Sequence, residues 1–248
     1  MEAKQGSASS PVFKPCGDCN LSVCFGTVIA PEINARVAAL NASIQEKPPH
    51  GVLETVPTYT SLLVRYDPCK VSYDKLCERL RRRSDAQGSK AAAAAKRTFV
   101  IPVCYGGAFG EDLPFVAAHN NLTEAEVIAI HTGTDYLIYM LGFLPGFAYL
   151  GGLDKRIHTP RLTNPRTKIP AGAVGIGGEQ TGIYPLASPG GWQLIGQTPV
   201  RPYDPNRKEP ILYQAGDRIR FRAVSAQEYA ELSAQAEAGK AVWEVRNG

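Results

Sequence analysis

Polar side chains between residues 164 and 198 are set among glycines at an unusual density. Glycine lets the backbone approach a ligand closely, while Gln, Thr, Tyr and Ser side chains offer neutral hydrogen bonds to amides and carboxylates. An arginine can add a forked pair of hydrogen bonds to a carboxylate or phosphate. The predicted substrate-binding residues are Arg166, Lys168, Gln180, Thr181, Tyr184 and Ser188. The alternative is that the glycines serve tight barrel turns, Trp192 fills the core and Arg166 is solvated.

Two residues are candidates for acid–base catalysis, Glu111 and His131. A carboxylate or an imidazole within reach of a reacting group can move a proton near neutral pH. Each has a structural alternative. Glu111 would be an ordinary loop acid, and His131 would lie in the last turn of a capped helix, where a cation suits the helix dipole.

Several common signatures are missing from the sequence. The glycine run that begins at Gly175 lacks the third glycine of a dinucleotide fingerprint, and no glycine loop ends in Lys-Ser or Lys-Thr. Leu186 stands where a nucleophile elbow needs glycine. The four histidines show no metal-ligand spacing, so no metal is expected. No lysine lies in an Ala/Val-Met-Lys-Met context, so biotin is not expected on this chain.

Composition narrows the class of protein. The chain has 248 residues, 44% of them apolar, which is enough for a core and excludes wholesale disorder. A net charge of +4 does not demand a nucleic-acid partner. Residues 136–153 carry no charge, but Gly142, Pro145 and other glycines interrupt them, so a membrane span is rejected. The 24 glycines and 19 prolines favour many short strands.

The amino-terminal residues and the cysteines predict a cytoplasmic protein. The first ten residues are polar, unlike a signal peptide, and without export the six cysteines are expected to be free thiols. We expect these cysteines to act as buried small hydrophobic residues.

The first half has an α+β pattern. Apolar residues alternate over 21–25 as in a half-buried strand, and they recur at helical spacing from Ile33 to Ile44. Two further strands are predicted over 52–56 and 61–66. A second helix follows, with Val71, Leu76 and Leu80 on its apolar face and four arginines between 79 and 83 at its end. The order β-α-β-β-α is the opening of a ferredoxin-like unit.

A low-complexity stretch separates the two halves. Residues 84–97, SDAQGSKAAAAAKR, change the composition abruptly and are the predicted linker. The predicted domains are therefore 1–97 and 98–248.

Short elements predominate in the second half. The predicted elements are a strand at 98–104, a loop at 105–114, a helix capped by Thr123 and Glu126, short strands from 135 to 224, a helix capped by Ser225, and a closing strand at 242–245. Such strand density predicts a closed or half-closed β-barrel.

Long blocks of the sequence resemble one family. GFLPGFAYLGGLD at 142–154, TPRLTNPRTKIPAGAVGIGGEQTGIYPLASPGGWQLIGQTP at 159–199 and AGDRIRF at 215–221 resemble the allophanate hydrolase subunit 1 (KipI) family. PCGDCNLSVCFG at 15–26 and IPVCYGGAFGEDL at 101–113 extend the resemblance upstream. The likeness implies a small ferredoxin-like amino-terminal domain followed by a cyclophilin-like β-barrel domain.

The resemblance also implies an activity. Similar members serve as the B component of an ATP-dependent 5-oxoprolinase, which converts 5-oxoproline to L-glutamate. They work with a C component, of the allophanate hydrolase subunit 2 type, and with an A component. ATP is then used by the complex at a site that the sequence does not locate, and the chain alone is expected to be inactive. Two alternatives stay open: a carboxyltransferase or hydrolase component of urea or allophanate metabolism, and a KipI-like inhibitor of a histidine kinase.

Overall fold

The computed structural model describes residues 10–87 and 97–247. These fall into two compact units, one on each side of residues 88–96. The prediction of a linker over 84–97 is wrong at its two ends, because Ser84 still belongs to a helix and Arg97 begins a strand. The rest of that predicted linker lies outside the described residues, so the domain limits of 1–97 and 98–248 stay predictions.

The first unit is a four-stranded antiparallel sheet with two helices. Its elements are β1 (Val12–Pro15), β2 (Asn20–Cys24), α1 (Pro31–Glu46), β3 (Val52–Pro57), β4 (Ser61–Tyr66) and α2 (Tyr73–Gln87). The strand order is β1-β2-β4-β3. The predicted β-α-β-β-α order is confirmed, and β1 adds an edge strand that the sequence pattern did not indicate.

Apolar side chains from the helices and the two central strands form the core of this unit. Val37, Leu40 and Ile44 are buried along one face of α1, and Leu62 and Val64 are buried on β4. Pro31 opens α1, where its missing N–H costs no hydrogen bond. The helix is therefore held by burial of its stripe against the sheet.

The prediction that the arginine run ends α2 is wrong. The helix continues to Gln87, so the arginines occupy its middle. Arg82 pairs with Glu78 one turn earlier, and Arg83 donates a hydrogen bond of 2.8 Å to the Ser43 carbonyl oxygen on α1. These contacts support a structural role for the run.

The second unit is mostly strands. Its elements are β5 (Arg97–Tyr105), α3 (Leu113–His119), α4 (Glu124–Thr132), β6 (Asp135–Leu141), β7 (Ala148–Gly151), β8 (Arg166–Ile169), β9 (Ala173–Gly177), β10 (Gln180–Ile183), β11 (Ser188–Gly190), β12 (Gln193–Gln197), β13 (Arg218–Ala223), α5 (Ala226–Glu237) and β14 (Glu244–Asn247), with short 3-10 turns at Gly107–Phe109 and Lys155–Ile157.

Eight of these strands form one sheet. Its order is β10-β9-β12-β5-β13-β6-β7, and β14 pairs with β5 beside this path. The edge strands β7 and β10 lie next to each other, so the sheet is nearly closed into a barrel. Strands β8 and β11 form a separate two-stranded sheet. The predicted α+β class with a barrel is confirmed.

Local sequence patterns predicted some elements of this unit correctly and missed others. The capping box at Thr123 and Glu126 is present at the start of α4, and Ser225 caps α5. Ile219 and Phe221 face the barrel core as their alternation predicted. Helix α3 was not predicted, and the closing strand begins at Glu244 and not at residue 242.

The expectation about the cysteines is confirmed only in part. All six thiols are free, and Cys77 and Cys104 are buried. Cys16, Cys19 and Cys69 are exposed, so the prediction of burial is wrong for them. Among the described residues, no helix has the length and apolar character needed to cross a membrane.

Candidate functional site

The glycine-rich segment is built around the indole ring of Trp192. A Cβ atom on Gly177 would lie 2.3 Å from Trp192 Cδ1, and one on Gly182 would lie 3.3 Å from its Cζ3. The β9–β10 hairpin therefore leaves space for the ring only because glycines stand there. Trp192 also meets the rings of Phe147 and Tyr184 edge-on. The indole is buried, as the structural alternative had predicted.

Arg166 on β8 contacts the backbone of Trp192 and two carboxylates. Its Nη2 atom is 2.8 Å from Asp112 Oδ1 and 3.0 Å from Glu111 Oε1. Its Nη1 atom donates to the Trp192 carbonyl oxygen at 3.3 Å. The structure thus brings together two residues that were predicted for different roles, Glu111 and Arg166, and it shows that two carboxylates already neutralise this arginine.

Asp112 is the fixed one of these two carboxylates. Its Oδ2 atom accepts the Leu194 backbone N–H at 2.6 Å, and its own N–H donates to the Leu194 carbonyl oxygen at 2.9 Å. Its side chain is 14% exposed, whereas that of Glu111 is 63% exposed. Asp112 holds Arg166 in place, and Glu111 is the carboxylate that solvent and substrate can reach.

Arg161 is a site residue that the sequence reasoning missed. Its guanidinium carbon lies 5.9 Å from the centre of the Trp192 ring, and Nη2 donates to Gln180 Oε1 at 3.1 Å. The predicted residue Gln180 therefore contacts the cluster through Arg161, which was not among the predicted residues. The available signal was a repeated Pro-Arg pair, at 160–161 and again at 165–166.

Tyr184 and Ser188 are both buried near this cluster. Burial raises the pKa of the Tyr184 phenol, and the nearby cations Arg161 and Arg166 partly oppose that shift. The phenol is therefore a hydrogen-bond donor at neutral pH. The Ser188 hydroxyl has no hydrogen-bond partner within residues 10–87 and 97–247. Lys168, two residues beyond Arg166 on β8, is exposed.

His131 and Thr181 are brought together inside the barrel. His131 Nε2 lies 2.8 Å from Thr181 Oγ1, and His131 Nδ1 lies 2.7 Å from the Tyr105 hydroxyl. The imidazole stacks on Phe221 at a centroid distance of 4.6 Å. Complete burial lowers the pKa of His131 to about 3. The imidazole is neutral, so His131 does not supply the positive charge that was its predicted structural role at the end of α4. The geometry supports a structural role, and acid–base catalysis by His131 stays a prediction.

Six of the eight predicted residues thus separate into two groups. Arg166 and Tyr184 contact Trp192, and Glu111 and Gln180 are linked to it through Arg166 and Arg161. His131 and Thr181 belong to an interior network. The first group combines guanidinium, amide and phenol donors with one accessible carboxylate, a set suited to binding an anionic amide and moving a proton.

The second unit also has a cavity of about 240 Å³ that borders α5. Its lining includes Gly172, Arg201, Tyr229 and Glu237 but none of the predicted site residues. Across the described part of the chain, no three His, Cys, Asp or Glu side chains are grouped to hold a metal ion. The Trp192 cluster is therefore the candidate site.

Comparison with known proteins identifies the family. A family model described as carboxyltransferase domain, subdomain C and D, matches residues 11–213. The B subunit of 5-oxoprolinase from Bacillus subtilis (strain 168) is 45% identical over 223 residues, which cover 86% of this chain and 92% of that protein. A putative urea carboxylase of Emericella nidulans is 27% identical over 217 residues, covering 75% of this chain and 17% of that protein.

Solved structures agree with this assignment. The crystal structure of TTHA0988 matches with a TM-score of 0.73 at 39% identity, covering 84% of this chain. This chain spans 40% of the TTHA0988 chain. The Kluyveromyces lactis urea amidolyase matches with a TM-score of 0.81 at 21% identity, covering 99% of this chain and 17% of that one, which supports the fold alone.

The fold and the family match thus define a carboxyltransferase-type domain with a nearly closed barrel. The chain belongs to the carboxyltransferase subdomain C and D family, the same family as the 5-oxoprolinase B subunit. The resemblance drawn from the 142–199 block is confirmed, and so is the cyclophilin-like barrel that it implied.

Proposed function

We propose that this chain is the B subunit of an ATP-dependent 5-oxoprolinase, which cleaves 5-oxoproline to L-glutamate together with A and C subunits. The observation that carries the proposal is the identity to the Bacillus subtilis B subunit over nearly the whole length of that protein. We also propose that the complex acts in the cytoplasm and that the chain alone is inactive.

The reaction explains why ATP is needed. Opening an unstrained lactam in water is uphill, so the hydrolysis must be coupled to cleavage of ATP. One water molecule is consumed in opening the ring, and a second in releasing phosphate from ATP. The ring nitrogen leaves the carbonyl carbon and gains protons to become the α-amino group. Such chemistry requires recognition of a carboxylate, hydrogen bonds to a lactam and stabilisation of developing negative charge.

The cluster around Trp192 offers these groups. Gln180 and Tyr184 present an amide and a phenol near two guanidinium groups, and Lys168 adds an exposed cation on the same strand as Arg166. We propose these residues and Ser188 as substrate contacts, with Glu111 as the acid–base group because its carboxylate is accessible. Thr181 contributes by holding β10 from inside. We assign the use of ATP to the complex, and we assign ATP binding to no residue of this chain.

The test is ATP hydrolysis by the chain mixed with its A and C partners, with and without 5-oxoproline. We expect hydrolysis that depends on 5-oxoproline and on all three chains, with L-glutamate formed in a one-to-one ratio to phosphate. Omitting one chain at a time is the control. An assembled complex that forms no glutamate would overturn the proposal.

A second candidate is a component of urea or allophanate metabolism. It is favoured by the match to the Emericella nidulans putative urea carboxylase, although this chain covers only 17% of that protein. Urea and allophanate in the same assay separate the two functions when ammonia release is measured beside ATP hydrolysis, because hydrolysis of allophanate need not consume ATP.

A further inference from the structure

Two arginines contact Trp192, Arg161 at the indole ring and Arg166 at the backbone carbonyl oxygen, but they differ in what neutralises them. Arg166 contacts both Asp112 and Glu111. Arg161 is exposed, and within the described residues it has no carboxylate partner; its guanidinium contacts the neutral Gln180 amide and the Trp192 ring. We propose that Arg161, and not Arg166, binds the carboxylate of the substrate. This inference rests on the 5-oxoprolinase function proposed above.

The backbone on both sides of Arg161 is held by hydrogen bonds, although Arg161 itself is exposed. The buried side chain of Gln193 donates to the Pro160 carbonyl oxygen at 2.9 Å, and the Leu162 N–H donates to the Gly191 carbonyl oxygen at 2.7 Å. One residue before Pro160, Thr159 pairs with Gly178 at the tip of the β9–β10 hairpin. Both neighbours of Arg161 are thus tied to the strands that surround Trp192.

The side chain is oriented as well as its backbone. The Trp192 ring face attracts the guanidinium cation, and the Gln180 Oε1 atom accepts one of its N–H groups. A guanidinium has five N–H groups in a planar fork, so donors are left for a bidentate carboxylate after this one bond. Since the orientation exists before binding, little side-chain entropy is lost when the anion arrives.

Arg166 is a poorer partner for an incoming anion. A substrate carboxylate there would have to displace Asp112, whose second oxygen is bound to the Leu194 N–H. It would also meet the negative charge of Glu111 at 3.0 Å from the same nitrogen. Arg166 is therefore a positioning residue that fixes Asp112 and Trp192, while Arg161 is the cation that an anionic substrate can neutralise.

The geometry also predicts which substrates are preferred. 5-Oxoproline carries a carboxylate on its lactam ring, whereas 2-pyrrolidinone is the same ring without the carboxylate. If Arg161 binds the carboxylate, the arginine contributes to binding of the first compound and not of the second. The preference for 5-oxoproline then depends on the guanidinium.

The experiment compares Arg161→Gln and Arg161→Lys in the assembled three-chain complex. We expect Arg161→Gln to raise the KM for 5-oxoproline by about 10- to 100-fold with kcat within a few-fold, because a charge-assisted forked contact is lost. Arg161→Lys should recover part of the loss, since it keeps the charge without the fork. The KM for ATP should not change, and neither should any ATP hydrolysis that 2-pyrrolidinone stimulates in the wild-type complex.

The matched control is Arg201→Gln, which removes another exposed arginine that has no carboxylate partner among the described residues and lies outside the Trp192 cluster. It should leave both KM values unchanged. An unchanged KM for 5-oxoproline in Arg161→Gln would overturn the assignment of Arg161. An equal loss of kcat/KM for 5-oxoproline and 2-pyrrolidinone would overturn it as well. A wild-type complex without 5-oxoproline turnover would instead overturn the proposed function.

Discussion

His131 Nε2 and Thr181 Oγ1 form a hydrogen bond of 2.8 Å inside the barrel, and the direction of this bond is determined by a third group. Thr181 uses its only hydroxyl hydrogen to bond the Gly175 carbonyl oxygen at 3.0 Å. The hydrogen between His131 and Thr181 therefore lies on Nε2, and the Tyr105 hydroxyl donates to Nδ1. Because Gln180 adjoins Thr181 on β10, this interior network supports a residue of the candidate site.

Loss of the Thr181 hydroxyl should destabilise the barrel. Thr181→Val would leave the buried Nε2–H of His131 without its acceptor and remove the side-chain donor to the Gly175 carbonyl oxygen, which costs about 1–3 kcal/mol. Thr181→Ser keeps the hydroxyl and is the control, with a smaller loss from the missing methyl group. Urea unfolding measures both. Equal stability of the Val and Ser variants would contradict the network.

Acid should weaken the wild-type fold through His131. The folded pKa is about 3, below the unfolded value of 6.5, so the unfolded chain takes up a proton first as pH falls. The stability that neutral His131 contributes is present above pH 6.5 and is lost progressively as the pH falls below 6.5.

We therefore expect urea midpoints to fall more steeply from pH 7 to pH 5 in the wild type than in His131→Gln. The ¹⁵N chemical shifts of the wild-type His131 ring provide a second measurement if that variant does not fold. They should stay those of the neutral imidazole at pH 5. A protonated ring at that pH would contradict the buried neutral state.

The two carboxylates around Arg166 should respond differently to neutralisation. Asp112→Asn breaks a largely buried contact that also holds the Leu194 N–H, so a loss of about 1–3 kcal/mol in unfolding free energy is expected. Glu111→Gln removes an exposed ion pair and should change stability by less than about 0.5 kcal/mol. Urea unfolding of the two variants side by side measures the difference, and equal losses would contradict the distinct roles of the two carboxylates.

Activity then separates the roles of these residues. If Glu111 is the acid–base group, Glu111→Gln lowers kcat by about 100-fold or more in the assembled complex while the fold stays intact. Full activity of a folded Glu111→Gln complex would exclude that role.

The space beneath the Trp192 ring should not tolerate a methyl group. In Gly177→Ala the new Cβ would lie 2.3 Å from Trp192 Cδ1, so the ring must move, and we expect a loss of about 1–3 kcal/mol with altered tryptophan fluorescence. Gly191→Ala is the matched control, because its nearest neighbours are 3.6 Å away. It should change stability and emission little. An unchanged tryptophan emission spectrum for Gly177→Ala would contradict the packing of the Trp192 ring against Gly177.

Much of the fold follows from local sequence patterns. The alternation at 21–25 and the helical stripe from Ile33 to Ile44 each describe one buried face, so they predicted β2 and α1 correctly. Capping residues such as Thr123 act within one turn, which is why the start of α4 was predictable. The edge strand β1 has mostly exposed residues and makes its bonds with β2, so its sequence carries no comparable pattern.

The sequence by itself determined most of the helices and strands, though not β1 or α3, and it determined which segment is rich in binding groups. Only the tertiary structure decided which charges in that segment are neutralised. Arg161 and Arg166 are alike in sequence, each following a proline, but the fold brings Asp112 to one of them and not to the other. It also buries His131, whose residue type suggested catalysis. Ion pairing and desolvation depend on groups far apart in the chain, so local pattern cannot supply them.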